Sequence, residues 1–192
     1  TKLYVGTYTR PTPFLAAPRG EGLYVFDYDP ATGRLTLEQV VQGIDSPSFL
    51  CLSPDGRFLY AASEVPERAD GVVGAYAVSA ADGALRSLGV QVMGGAWASY
   101  LTMDPLGRVL LLADYGLGGV AMLPVRGDGT LGTVASAHRL EGSGPVAGRQ
   151  EGPHTHCIVV SPDGRFAFAA DLGADHVAGY RLDLGHLELV LD

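Results

Sequence analysis

One short phrase recurs along this chain and limits its fold more than any other feature. Ser53-Pro54-Asp55-Gly56-Arg57 returns as Asp104-Pro105-Leu106-Gly107-Arg108 and again as Ser161-Pro162-Asp163-Gly164-Arg165. The copies stand roughly fifty residues apart, the period of a repeated all-β unit. Each is preceded by an apolar run (Phe49–Leu52, Tyr100–Met103, Cys157–Val160) and followed by another (Phe58–Ala61, Val109–Leu112, Phe166–Ala169). Two short apolar runs joined by a Pro-Asp-Gly type turn read as a β-hairpin.

A second hairpin follows each time. Val72–Val78 and Leu85–Val92 flank Ala81-Asp82-Gly83, Gly119–Val125 and Leu131–Ala137 flank Gly127-Asp128-Gly129, and His176–Leu182 is followed by Leu187–Leu191. Ahead of these units stand Lys2–Tyr8, Gly22–Tyr28 and Leu35–Val41, which make one unit lacking its first strand. Four strands per unit with almost no helical periodicity predict an all-β chain of β-propeller blades. The blades run over roughly 1–43, 44–93, 94–142 and 143–192, the first incomplete. A β-sandwich is the alternative, disfavoured because its strands need not repeat in fours around one turn. A propeller ring usually holds roughly four to eight blades. The count therefore predicts the N-terminal portion of a larger ring, with further blades or a second copy covering the open edge.

Composition narrows the function classes. The 27 glycines are about twice the ordinary share and match the many turns. A formal charge of −8 argues against a nucleic-acid partner, which would need a basic footprint. There is no apolar run of membrane length and no charged-then-apolar leader, so no membrane partner is expected and the cytoplasm is the expected compartment. Cys51 and Cys157 sit in apolar runs and read as free buried thiols.

Chemistry concentrates in Arg149-Gln150-Glu151-Gly152-Pro153-His154-Thr155-His156. In an extended strand His154 and His156 share one face, while Thr155 and Cys157 take the other. Such a cluster can also be a satisfied polar entry to a strand. His154, His156 and Asp171 can be drawn as a metal site, but no third ligand stands at diagnostic spacing, so no metal is expected. Asp114, Asp171 and Asp175 read as turn caps. Tyr115 reads as a channel-lining or packing residue, Trp97 as a packing residue or rim contact, and His138, His176 and His186 as surface or packing residues.

The phrases Pro47–Tyr60 with Glu64, Asp114-Tyr115-Gly116, and Arg149-Gln150-Glu151 through Asp175 resemble the lactonase family of seven-bladed propellers, which includes propeller-type 6-phosphogluconolactonases and 3-carboxy-cis,cis-muconate lactonizing enzymes. The resemblance runs along the whole chain, and its specific part is R-Q-E-x-P-H-x-H. It implies a ring of seven blades, a site in the central channel, no cofactor, and a small-molecule lactone or sugar phosphate as partner. It implies His156 as acid/base, with His154 and Glu151 beside it in the catalytic group. Arg149, Glu64, Tyr100 and Tyr115 become candidate substrate contacts. Tyr100 stands where a family member often carries a histidine. The family's Gly-Pro-Arg-His blade start and its paired Asn-Glu do not occur in residues 1–192, which leaves open whether this stretch acts alone.

The chemistry suits those residue types. Opening a lactone with water needs a base for the water, donors for the developing oxyanion and a proton for the departing ring oxygen. Imidazole, with an ordinary pKa near ~6.5, suits the first and last. Arginine suits a two-pronged grip on phosphate or carboxylate. The expected function is hydrolysis of a sugar lactone such as 6-phosphogluconolactone. The alternatives are a non-catalytic propeller that serves as a binding platform and a muconate-type lactone cycloisomerase.

Overall fold

The computed structural model describes residues 1–66, 71–95 and 97–192. Among them every regular element is a β-strand. β1 (Lys2–Gly6), β2 (Leu23–Tyr28) and β3 (Leu35–Val41) form a three-stranded sheet. Three four-stranded sheets follow. The second sheet of the chain contains β4 (Pro47–Leu52), β5 (Phe58–Ser63), β6 (Val72–Val78) and β7 (Leu85–Val92). The third contains β8 (Ala98–Met103), β9 (Val109–Asp114), β10 (Gly119–Pro124) and β11 (Ser136–Arg139). The fourth contains β12 (Thr155–Val160), β13 (Phe166–Asp171), β14 (His176–Asp183) and β15 (Glu188–Leu191). Each is an antiparallel meander, so sequence order is spatial order.

The repeated phrase makes the turn between the first two strands of a blade, and its residue types explain why. Gly56 takes φ 70° and Gly164 φ 70°, a conformation a side chain would strain. Ser53 donates its hydroxyl to Asp55 (2.6 Å) and accepts the Phe58 amide (3.0 Å), while Asp55 takes the Arg57 amide and Nε. Ser161, Asp163, Arg165 and Phe166 repeat the arrangement. In the middle copy Asp104 stands at the serine position and takes the Arg108 Nε and the Val109 amide itself. Leu106, at the place of the other aspartates, is left in solvent.

The blades stack face to face in series, which a two-sheet sandwich does not do. Leu23 and Val25 of the first sheet pack with Leu59, Ala61 and Tyr76 of the second. Tyr60, Val73 and Ala75 pack with Leu101, Leu110 and Leu112 of the third. Val109, Leu111 and Ala113 turn the other way, onto Ile158, Ala167, Ala169 and Tyr180 of the fourth. Alternate residues of β9 thus serve two different cores, and the whole strand is buried. Polar ties fix the stagger. Gln39 exchanges two hydrogen bonds with the Leu85 backbone (2.9 and 2.8 Å), and the Tyr60 hydroxyl donates to Gly129 O (3.1 Å). The first strands β4, β8 and β12 lie side by side and form the inner wall.

Most strands fall where the sequence puts them, with two differences. β4, β8 and β12 begin two residues earlier than their apolar runs, at Pro47, Ala98 and Thr155. The strand expected over Leu131–Ala137 instead forms at Ser136–Arg139, and Leu131 makes only an isolated bridge to Val125. Between these pairings the Gly132 amide donates to Pro124 O and the Ala135 amide to Met122 O, so residues 132–135 arch away from the ladder. Each end sheet packs against one neighbour, whereas each middle sheet packs against two. The outer face of the last sheet exposes Val159, Phe168 and Val177, and that of the first exposes Leu3, Leu35 and Leu37.

Candidate functional site

The early start of the inner strands brings a shared irregularity. The β4–β5 register slips between Pro47 and Phe49, β8–β9 between Ala98 and Tyr100, and β12–β13 between Thr155 and Cys157. Ser48, Ser99 and His156 are therefore the extra residues of three equivalent β-bulges. A bulge leaves one residue out of the ladder and re-aims its side chain, and bulges of this kind gather beside active sites. Period-two alternation puts His154 and His156 on one face. In the structure β12 starts after His154 and His156 is the bulge residue, so the two do not stand as alternate residues of one regular strand.

Asp171 fixes this junction. It is buried, and it accepts the Thr155 hydroxyl (2.6 Å) and the amides of His154 (2.9 Å) and Ala174 (2.7 Å). Burial pushes its carboxyl up. The Thr155 hydroxyl and the Ala174, His154 and Gly173 amides outweigh that and hold it below the usual carboxylate range. With its oxygens so engaged Asp171 is a turn cap, as expected, and not a third ligand for the two histidines. Ser99, the bulge residue of the preceding blade, donates its hydroxyl toward the carbonyls of Thr155 (3.3 Å) and His156 (3.2 Å). One bulge braces the next.

Around the His156 bulge lies a cavity of ≈ 470 Å³ lined by Tyr8, Phe14, Glu64, Trp97, Ser99, Tyr115, Arg149 and His156. The repeat accounts for much of this set. Tyr8, Glu64 and Tyr115 occupy the same blade position, just past the second strand of their units. Tyr115 is the hub. The His154 ring stacks on it (4.7 Å, 16°), while Trp97 (5.0 Å) and His156 (5.9 Å, 90°) meet it edge-on. The Arg149 guanidinium donates to its hydroxyl and lies 5.6 Å from the ring centre. The Tyr115 carbonyl lies 3.1 Å from His154 Nδ1. A carbonyl only accepts, so in neutral His154 the proton sits on Nδ1.

On the other side of the cavity Tyr8 donates its hydroxyl to Glu64 Oε2 (2.7 Å). Partial burial, then the bond to Glu64, holds the Tyr8 phenol well above its usual range. Arg149 reaches the cavity because Gln150 anchors its loop. The buried Gln150 side chain accepts the Val146 amide (3.0 Å) and donates to Leu172 O (2.7 Å).

Of the residues singled out in the sequence, His156, Arg149, Glu64 and Tyr115 meet in this cavity. His154 is half-buried behind Tyr115 and does not line it. Glu151 is exposed in the loop and accepts the Gly148 amide. Tyr100 packs against Phe49 (4.1 Å) between inner strands and is not in the lining. Trp97 both packs on Tyr115 and lines the cavity. His138 packs edge-on against Tyr180 (5.5 Å), and His186 pairs with Asp183 on an exposed turn. The sequence reading missed Tyr8, Phe14 and Ser99. The repeat holds the signal for two of them, since Ala98-Ser99-Tyr100 aligns with Thr155-His156-Cys157 and Tyr8 aligns with Glu64 and Tyr115. A hollow of similar size lies at the opposite end of the blades, beside Arg57, Arg108 and Arg126. There Arg57 and Arg108 are paired with Asp55 and Asp104, and Arg126 donates to Leu131 O.

Serially stacked four-stranded meanders with their first strands side by side define a β-propeller. The profile of the family described as "Lactonase, 7-bladed beta-propeller" matches residues 2–191, and the chain belongs to this family. It is 32% identical over 186 residues to the 6-phosphogluconolactonase of Bacillus subtilis, covering 96% of this chain and 50% of that protein. It is 28% identical over 182 residues to the 6-phosphogluconolactonase of Formosa agariphila, covering 95% and 50%. Among solved structures, the periplasmic gluconolactonase of Pseudomonas aeruginosa superposes with a TM-score of 0.87 at 33% identity, covering 100% of this chain and 52% of that one. The chain spans about half the length of these relatives.

Proposed function

We propose that the natural-length protein hydrolyses a sugar lactone, such as 6-phosphogluconolactone, with His156 as the acid/base. The observation that carries this reading is the exposed His156 imidazole, turned by its bulge into a cavity it shares with Arg149 and Glu64. Membership of the lactonase family supports lactone opening as the reaction class. An imidazole left open to a cavity suits catalysis better than it suits a passive binding platform.

The reaction adds water across the acyl C–O bond. His156 takes a proton from the attacking water as its oxygen bonds to the carbonyl carbon. The bond to the ring oxygen then breaks, and the same imidazolium returns the proton to that oxygen, which leaves as a hydroxyl. Arg149 presents guanidinium donors to the substrate phosphate or to the carboxylate that forms. Glu64 accepts hydrogen bonds from sugar hydroxyls. His154 and Ser99 act at one remove, His154 by bracing Tyr115 and Ser99 by holding the bulge.

Replacing His156 with alanine in the natural-length protein tests the proposal. Acid release from glucono-1,5-lactone and its 6-phosphate, above the spontaneous rate, should fall by about 10²–10⁴-fold with the melting temperature unchanged. Turnover within a few-fold of the parent would overturn the role of His156.

A further inference from the structure

The β1–β2 connection, residues 7–22, is far longer than the four-residue connections 115–118 and 172–175 that join β9–β10 and β13–β14. Its first residues are tied to the loop between β3 and β4. Ser46 Oγ accepts the amides of Thr9 and Arg10 (3.3 Å each), and the Ser46 amide donates to Thr9 Oγ1 (2.9 Å). Arg10 pairs with Asp45 (2.8 Å), and the Thr7 hydroxyl donates to Gly22 O (2.7 Å). At its tip Thr12 and Leu15 exchange both backbone hydrogen bonds (3.0 and 3.1 Å), so Pro13 and Phe14 form a tight two-residue turn. Proline fixes its own φ, which stiffens that turn further.

This braced tip carries Phe14, which is 60% exposed and forms part of the cavity lining. Its ring stands edge-on to Tyr8 (5.6 Å, 82°), and Tyr8 is itself held by Glu64. A large apolar ring in water is common by itself. Here it stands on a two-residue turn and borders a cavity whose lining also includes the rings of Tyr8, Trp97 and Tyr115, with one carboxylate and one cation. A sugar-derived lactone has complementary surfaces: a face of C–H groups and an edge of hydroxyls.

We infer that Phe14 is a specificity-determining residue that covers the C–H face of the bound sugar ring, while Glu64 takes its hydroxyls. The inference rests on the lactonase reading but not on the identity of the base. Because this contact is the same in the ground and transition states, its loss raises KM and leaves kcat alone. Burial of an exposed phenyl against a ligand corresponds to roughly a tenfold change in affinity.

The experiment compares the natural-length protein with its Phe14→Ala and Phe14→Trp variants. Kinetics use glucono-1,5-lactone, and calorimetry uses glucono-1,5-lactam, a stable ring analogue that cannot turn over. The expected result is a rise of about tenfold in both KM and lactam Kd for Phe14→Ala, with kcat within twofold. Phe14→Trp should stay near the parent, and all three should share one melting temperature. Unchanged lactam affinity in Phe14→Ala, or no lactam binding by the parent at millimolar concentration, overturns the inference. A parent that binds lactam through Phe14 but opens no lactone sinks the catalytic proposal and spares this one. A parent that opens lactones and is indifferent to Phe14→Ala does the reverse.

Discussion

Tyr115 touches four of the side chains that give the cavity its character: Arg149 through its hydroxyl, His154 through its face, and Trp97 and His156 through their edges. Removing only the hydroxyl leaves the ring contacts, including the guanidinium beside the ring, and takes away the acceptor of the Arg149 hydrogen bond. Tyr115→Phe should therefore raise KM for a phosphorylated or carboxylate-bearing substrate by about three- to tenfold, with a small change in kcat. Steady-state kinetics on the natural-length protein checks this, and an equal fall in kcat would place Arg149 in the chemical step instead. At this scale the sequence was informative about residue type and weak about direction. An H-x-H pair on a strand promises two imidazoles side by side. The slip at Thr155/Cys157 and the start of β12 after His154 leave one half-buried behind Tyr115 and the other exposed at the cavity. Neither event leaves a mark in a two-residue alternation. Gln150 stands within the same motif, yet nothing in composition says that a glutamine will be buried and will aim its neighbour.

At the scale of elements, the junction held by Asp171 and the repeated turn make separate predictions. Asp171 is buried and accepts three hydrogen bonds across the start of β12 and the end of β13. Alanine there leaves the Thr155 hydroxyl and two amides without their acceptor and should cost about 2–4 kcal/mol, read by denaturant unfolding. The Asp163 carboxyl is held at about 2 by the Ser161 hydroxyl, then by Arg165. A lowered carboxyl stabilises the fold above its unfolded value of about ~3.9, and the benefit is lost as pH falls through the folded value. The turn should accordingly loosen between about pH 4 and pH 2. Ser161→Ala should move the Asp163 midpoint upward in a carboxyl-detected NMR titration, and an unmoved midpoint would show that Arg165 alone sets it. The strands themselves were legible because apolar runs and Pro-Asp-Gly turns follow directly from backbone requirements. Their inner ends were not. Pro47-Ser48, Ala98-Ser99 and Thr155-His156 are polar or small and do not extend the apolar runs, although their backbone continues the ladder.

For the whole molecule, coverage of the sheets is the governing fact. The second and third sheets are buried between neighbours, whereas the first and fourth each turn one apolar face to solvent. Contiguous apolar faces of this kind drive association. Residues 1–192 produced alone should self-associate at micromolar concentration, as measured by light scattering after size exclusion. Phe168→Glu combined with Val177→Lys should shift the population toward monomer, and a monodisperse parent monomer would contradict the idea. The period of the repeat made this arrangement readable from the start, because blades that stack in series leave end faces wherever a ring is not closed. The recurring slip in β4, β8 and β12 carries a different consequence. Around the axle of the wheel, each paddle offers an interchangeable socket whose occupant is set by a single codon, serine in two cases and histidine in the third. New reactivity in such a molecule can arise by changing what sits in a socket, or by moving an imidazole one paddle round, with no rebuilding of the main chain.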